Sequence, residues 1–315
     1  MTNTAFTPLL RLAQRTLAAA SFSFIGLLGT SQALAQDLPR MLDTAYGNVR
    51  VEGSPKRVIA LSESALDTAL TLGIQPVGAV ASRGSDKVSD YLQEKIQKIG
   101  IVGTARELNL ESILALQPDL ILAPNTTSKE IYAKLSMLAP TVVPATGSQD
   151  EWQATVALYA DALGKSEAIQ TRFKDLEQRL QALRAKLPAD QTVSVVRWNP
   201  QGPMIMSSQI FTGQLLSSLG FNSSELANSL GTKPHSDILS LENLGKIDAD
   251  WIFLATLNAK GEQTLDEARK QPAFNRLKAV SNNHAVAVDG QVWTSGTGLL
   301  AAEVILGNIE KALVP

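Results

Sequence analysis

The sequence contains no cysteine and only two histidines, His235 and His284, among its 315 residues. Without cysteine the chain cannot form disulfides, thiolate metal sites, a cysteine nucleophile or a lipid anchor on an N-terminal cysteine. Two distant histidines disfavour a directly bound zinc or manganese ion and a hydrolytic triad, which need several such side chains close together. We therefore predict no metal ligands and no catalytic residues, and keep an exported enzyme only as a minor alternative.

Long apolar runs are scarce as well. The run at residues 17–28 is shorter than the roughly 20 residues that span a membrane. It follows Arg11 and Arg15 and precedes a small-x-small pattern at residues 33–35, which is typical of a secretory signal peptide rather than of a membrane anchor. We expect residues 1–35 to be removed and the mature chain to be periplasmic and not lipid-anchored.

Positive charge is not in excess, since the sequence has 28 lysines and arginines and 30 aspartates and glutamates. Residues 1–35 hold two arginines and no acidic residue, so their removal takes the formal net charge from −2 to −4. Nucleic acid is therefore not an expected partner. The hydrophobic share of 44% fits a globular protein, and the length fits two domains.

An internal repeat divides the chain. Residues 109–123 (NLESILALQPDLILA) and 240–254 (SLENLGKIDADWIFL) share acidic and apolar positions at a constant offset, and both read as a helix followed by a strand. Strands and helices alternate around each copy, which predicts an α/β fold with two lobes, each a mostly parallel sheet flanked by helices.

A long amphipathic helix is predicted between the two copies. Apolar residues recur there at spacings of three and four up to Pro188, namely Ile169, Phe173, Leu176, Leu180, Leu183 and Leu187. We expect a helix over residues 166–187 that rigidly joins an N-terminal lobe, residues 36–165, to a C-terminal lobe, residues 188–315.

Several motifs occur together in an order that resembles a known family. They are PKRVIAL at 55–61, G-x-x-x-x-x-N-L-E at 103–111, ALQPDLILA at 115–123, FTGQLLSSLG at 211–220, LSLENL at 239–244, and VW at 292–293 before a terminal helix. Across residues 48–313 the chain resembles the periplasmic siderophore-binding proteins, which are helix-bridged binding components of ABC importers.

This resemblance implies a ligand and a partner. The ligand would be an Fe(III)–siderophore complex, whose iron is already wrapped by siderophore oxygens, so the protein needs no cofactor and no metal ligands. The partner would be an inner-membrane ABC permease, whose arginine pockets would receive Glu111 and Glu242, and the protein would be a monomer. Helix-start chemistry alone also favours a glutamate at each of these two positions.

The ligand-binding residues are predicted from strand ends, because ligands of two-lobed α/β proteins lie there. Arginine suits an organic anion and tryptophan suits its apolar scaffold. The candidates are Arg83, Arg106, Arg197, Trp198, Trp293 and the nearby Thr294, Ser295 and His235.

The identity of the ligand stays open at this point. Family members that bind ferric dicitrate carry arginines where this chain has Thr-Ser-Gly-Thr-Gly at residues 294–298, so the resemblance does not predict ferric dicitrate itself. The siderophore class is undecided between hydroxamate, citrate-based and catecholate, and haem or cobalamin stays an alternative on the same scaffold.

Overall fold

The computed structural model describes residues 38–145 and 151–314. They form two mainly parallel sheets flanked by helices, as the alternation of strands and helices predicts. The predicted signal peptide, residues 1–35, lies outside the described residues. Among the residues that are described, no helix is both long enough and apolar enough to cross a membrane.

The first half begins with an antiparallel hairpin of β1 (Arg40–Thr44) and β2 (Gly47–Val51). The five-stranded parallel sheet that follows consists of β3 (Val58–Ala60), β4 (Gly78–Ala81), β5 (Gly100–Thr104), β6 (Leu120–Leu122) and β7 (Thr141–Val142). Its spatial order is β5-β4-β3-β6-β7, so the chain switches to the other side of β3 when it reaches β6. Every residue of β3 and β6 is buried, as expected for central strands covered on both faces.

Five helices accompany this sheet: α1 (Glu63–Thr71), α2 (Asp90–Gln93), α3 (Leu110–Ala115), α4 (Lys129–Ser136) and α5 (Glu151–Ala162). Side-chain caps fix where three of them begin. Ser62, Asn109 and Ser128 each accept a backbone N–H from the first turn of α1, α3 and α4.

The predicted joining helix is α6 (Ser166–Arg184), about 28 Å long at roughly 1.5 Å per residue. It buries Ile169, Leu176, Leu180 and Leu183, members of the predicted stripe. The helix ends three residues before the predicted position 187, because Lys186 and Leu187 form tighter i to i−3 hydrogen bonds just before Pro188. The lobe boundaries themselves stay a prediction.

The second half contains β8 (Thr192–Asn199), β9 (Gly202–Ile205), β10 (Asn222–Ser223), β11 (Trp251–Thr256) and β12 (Ala285–Asp289). The parallel order is β10-β8-β11-β12, with β9 antiparallel to β8. Its helices are α7 (Phe211–Ser218), α8 (Glu225–Ser229), a 3-10 helix (Leu241–Ile247), α9 (Ala259–Arg269), α10 (Pro272–Asn275), α11 (Lys278–Ser281), α12 (Gly290–Ser295) and α13 (Leu299–Leu313).

The sequence repeat occupies equivalent places in the two halves, leading into β6 and β11. In each copy the aspartate before the strand holds the start of the neighbouring strand. Asp119 accepts the backbone N–H groups of Lys56 and Arg57 at 2.8 and 2.9 Å, and Asp250 accepts the N–H of Thr192 at 2.8 Å. The aspartate of each repeat copy therefore fixes the start of the neighbouring strand, β3 in the first sheet and β8 in the second.

The second copy of the repeat has a helix where the sequence predicts one, but of a different type from the first copy. Residues Leu241–Ile247 form a 3-10 helix. Gly245 and Lys246 stand where the first copy has Leu114 and Ala115. Glycine disfavours the α-helix, which is consistent with the 3-10 form of this short segment.

Helix α13 connects the two halves. Ile305, Leu306 and Ile309 lie in the core of the second half, whereas Leu300 packs into the core of the first. At its start, the fully buried carboxylate of Asp67 on α1 accepts the N–H groups of Leu300 and Ala301 at 3.1 and 2.9 Å. A carboxylate at a helix N-terminus satisfies free N–H groups and matches the helix dipole, so Asp67 pins the last helix to the first half.

Candidate ligand-binding cleft

A cavity of about 590 Å³ lies between the two halves. The first half lines it with residues that follow the carboxyl ends of β3, β4, β5 and β6, and the second half with residues around the start of α7 and the end of α12. In an open parallel sheet these strand ends are where a ligand crevice forms, next to the switch in strand order. The fold therefore places a cavity where the sequence predicts one.

Arg83 enters this cavity from the turn after β4. Its side chain is exposed. The next residue, Gly84, has φ of +81° and lies so close to the second half that a Cβ there would be 3.3 Å from Leu257 and from Asn258. Glycine is required for this conformation and this approach, and it sets Arg83 at the boundary between the halves.

Glu63, in the first turn of α1, is the acidic residue of the cavity lining. Its Oε1 accepts a hydrogen bond from Ser89 Oγ at 2.7 Å. Burial raises the pKa of Glu63 to about 7, and the negative charges of Asp67 and Asp289 add to this effect. The cavity therefore contains a carboxyl group whose charge changes near neutral pH.

Arg197 on β8 lies behind the cavity rather than in its lining. It is only 4% exposed, and its guanidinium donates to Oγ1 and the carbonyl oxygen of Thr294 at 2.8 and 2.6 Å. Burial lowers its pKa to about 10, and the positive charge of Arg83 acts in the same direction. Arg197 thus holds Thr294 in place at the cavity wall.

Trp293 contributes to the lining from α12, not from the end of a strand as the sequence predicted. Strand β12 ends at Asp289, four residues before the tryptophan. Asp289 then caps the short helix by accepting the backbone N–H of Gln291. The ring of Trp293 is fully buried, stacks on Phe253 with centroids 4.3 Å apart, and donates to Asn308.

An aromatic wall was missed by the sequence analysis. Trp152 on α5 and Phe211 at the start of α7 both line the cavity and meet edge to face, with ring centroids 5.1 Å apart. Glu63 was missed too, although the rule that singled out Arg83 after β4 applies equally to the residues after β3.

The predicted ligand-binding residues fall into two groups. Those in the cavity lining are Arg83, Trp293, Thr294 and Ser295. Trp198 lies elsewhere and packs against Phe274 in the core. Adjacent residues of a strand face opposite sides of the sheet, so Trp198 points away from the cleft side that Arg197 faces. Arg106 is exposed on the loop after β5, and His235 bonds through Nδ1 to the carbonyl oxygen of Ser236 beside the lining residue Pro234.

The two predicted docking glutamates lie outside the cavity. Glu111 is exposed in the first turn of α3, and Glu242 is exposed in the first turn of the 3-10 helix. Each has an exposed leucine on the same helix, Leu114 at 57% and Leu241 at 47%. Both copies of the repeat thus present a carboxylate next to an apolar side chain.

The described part of the chain holds no group of three or more histidine and acidic side chains that could bind a metal ion. The cavity offers one guanidinium, one carboxyl group, several serine and threonine hydroxyls, the phenol of Tyr159, and the amides of Asn125, Gln209 and Gln214. Such a set recognises a polar organic molecule.

Comparison with known proteins agrees with this geometry. Residues 58–292 match a family model described as periplasmic binding protein. The chain is 33% identical over 270 residues to YfiY of Bacillus subtilis, a probable siderophore-binding lipoprotein, covering 82% of this chain and 83% of the relative.

Two further relatives cover still more of the sequence. FecB of Escherichia coli, an Fe(3+) dicitrate-binding periplasmic protein, is 24% identical, covering 94% of this chain and 96% of its own. The structure of Staphylococcus aureus SirA with staphyloferrin B superposes with a TM-score of 0.74 at 26% identity, covering 87% of this chain and 98% of that one. With three quarters of its length matched by the family model, the chain belongs to the periplasmic binding protein family.

Proposed function

We propose that this protein captures a ferric siderophore between its two lobes and delivers it to an inner-membrane ABC permease for iron uptake. The observation that carries the proposal is the cavity between the halves, which combines a guanidinium, an aromatic wall and hydroxyl groups. These groups suit an organic complex that already encloses its metal, and relatives with most of their length in common are described as siderophore- or iron-binding.

Tryptophan fluorescence tests the proposal directly, because Trp152 and Trp293 line the cavity. A ferric siderophore should quench the emission saturably, whereas the iron-free siderophore should bind more weakly. Replacing Arg83 with alanine should weaken binding by about tenfold, and the matched change Arg276→Ala, on an exposed arginine outside the cavity, should not. A response to haem or cobalamin alone would transfer the proposal to that ligand, and silence throughout would refute it.

We also propose that the protein releases its ligand chemically unchanged. The family consists of binding proteins. Mass analysis of a ferric siderophore recovered after incubation with the protein should return the starting mass. A modified product would favour the enzyme alternative.

For location, we propose a periplasmic protein without a lipid anchor. Relatives are described as periplasmic proteins or as lipoproteins, and this sequence offers no cysteine for lipidation. The native protein should therefore appear in a periplasmic extract with an N-terminus near Gln36. Recovery with the membrane fraction would contradict this.

A further inference from the structure

The lining of the cavity carries few charged side chains. Within the described part of the chain, the charged side chains of the lining are Glu63 and Arg83. One is a cation and the other is an acid, so together they offer at most a single net positive charge. Arg197, behind the wall, is buried and engaged with Thr294.

Further negative charge lies within electrostatic reach of Glu63. Asp67 is fully buried on the same helix, and Asp289 caps α12 on the other side of the cleft. Both act on Glu63 electrostatically, together with Arg83, and Ser89 is its hydrogen-bond donor. A multiply charged anion in this cavity would contact one guanidinium and one carboxyl group of the lining, while the charges of Asp67, Asp289 and Arg197 lie outside the lining.

Neutral hydrogen-bonding groups, in contrast, are abundant and partly unused. Three buried hydroxyl oxygens on lining residues have no hydrogen-bond partner among the described residues: Ser64 Oγ, Ser82 Oγ and Ser295 Oγ. Buried polar atoms are normally paired, so these are the atoms for which a ligand would supply partners. Hydroxyls can donate to amide and hydroxamate oxygens and accept from amide N–H groups.

We infer that the cleft selects ferric siderophore complexes that are neutral or carry one negative charge, as tris-hydroxamate and mixed citrate–hydroxamate complexes do, over tris-catecholate complexes. A catecholate loses two protons and a hydroxamate one, so Fe(III) with three catecholates keeps three negative charges, whereas Fe(III) with three hydroxamates is neutral. The inference names the ligand class of the proposed function and rests on it.

The test compares three ferric complexes on the whole protein at pH 8, where Glu63 is ionised: a tris-hydroxamate, a mixed citrate–hydroxamate and a tris-catecholate. We expect the first two to bind about a hundredfold more tightly than the third. Glu63→Gln, which keeps the shape and the acceptor for Ser89, should reduce this ratio by about tenfold because it removes the nearest repulsive charge. Glu130→Gln, an exposed carboxylate outside the cavity, is the matched control and should leave the ratio unchanged.

A second variant makes the test independent of how well Glu63→Gln folds. Arg83 is exposed, so Arg83→Gln should fold normally and should weaken the mixed complex more than the neutral one. Tighter binding of the tris-catecholate by the wild type, or a ratio unaffected in Glu63→Gln, would overturn the inference while leaving the proposed function standing. Failure of all three complexes to bind would overturn both.

Discussion

At the scale of single residues, Asp67 combines two opposed effects. It is fully buried, which raises its pKa to about 6, yet its carboxylate accepts two backbone N–H groups from the start of α13, which favours the charged form. Removing the carboxylate would leave those N–H groups without their partner, and an unsatisfied buried donor costs about 1–3 kcal/mol.

We therefore expect Asp67→Ala to lower the free energy of unfolding by about 1–3 kcal/mol at pH 7, measured by urea denaturation. Asp67→Asn, which keeps one acceptor oxygen, is the control and should lose less. If alanine were as stable as the wild type, Asp67 would not hold the helix.

Glu63 provides a pH prediction at the same scale. Its pKa is raised from 4.5 to about 7, so the folded protein holds this proton more tightly than the unfolded chain does. That contribution to stability is fully present below about pH 4.5 and is lost as the pH rises through 7.

As the pH is raised from 5 to 8, the Tm of Glu63→Gln should therefore rise relative to that of the wild type. The expected difference is about 2–4 °C for each kcal/mol of unfolding free energy that the wild type loses. Calorimetry of both proteins across this range measures the difference. The exposed Glu130→Gln should show no such trend, and an equal pH profile for wild type and Glu63→Gln would contradict the assignment.

At the scale of elements, helix α13 allows a comparison of two glycines. Gly298, at its N-cap, has φ of +142°, and a Cβ there would lie 2.3 Å from Asp67. At Gly307, inside the same helix, the nearest atom outside the helix backbone to an added Cβ would be Arg179 Nη2 at 4.0 Å.

Gly298→Ala should therefore destabilise the protein by about 1–3 kcal/mol, because the conformation and the space both exclude a methyl group. Gly307→Ala should stabilise it by about 1 kcal/mol, because alanine favours the helix. Opposite signs in thermal unfolding are the expected result, and equal effects would show that the N-cap geometry is not restrictive.

How far the sequence predicts each element depends on how local its determinants are. The terminal helix expected after the VW motif is present as Leu299–Leu313. Trp293 was wrongly predicted at the end of a strand. The helix that carries it has only six residues, which is too short to show a helical period in the sequence, and it begins at the cap by Asp289.

The same contrast holds in the candidate site. Arg83 was found from a strand end, a local signal. Successive side chains of β8 point to opposite faces of the sheet, so Arg197 and Trp198 cannot both face the cleft. Which of the two does so follows only from knowing which face of the sheet borders the cleft. The acidic surroundings of Glu63 involve Asp289, more than two hundred positions away, and periodicity carries no information about such contacts.

At the scale of the whole molecule, the two exposed carboxylates of the repeat lead to a prediction about transport. If Glu111 and Glu242 dock to a permease, replacing both by alanine should reduce siderophore uptake by about tenfold or more, because charge pairs set orientation and association rate. Ligand affinity in solution should not change, since both lie outside the cavity.

Uptake of a radiolabelled ferric siderophore by cells that depend on this protein measures the effect. The double change Glu94→Ala and Glu262→Ala, on exposed carboxylates of the two halves outside the repeat, is the matched control. Loss of affinity in the Glu111/Glu242 variant, or normal uptake, would contradict docking.

The contact between Asp67 and Leu300 spans 233 positions in the chain. During synthesis, the first half is therefore made long before the segment that completes it, and Leu300 is part of its hydrophobic core. Forming so distant a contact requires closing a very long loop, which slows folding. The first half therefore cannot complete its native core until residues 299–301 have been made.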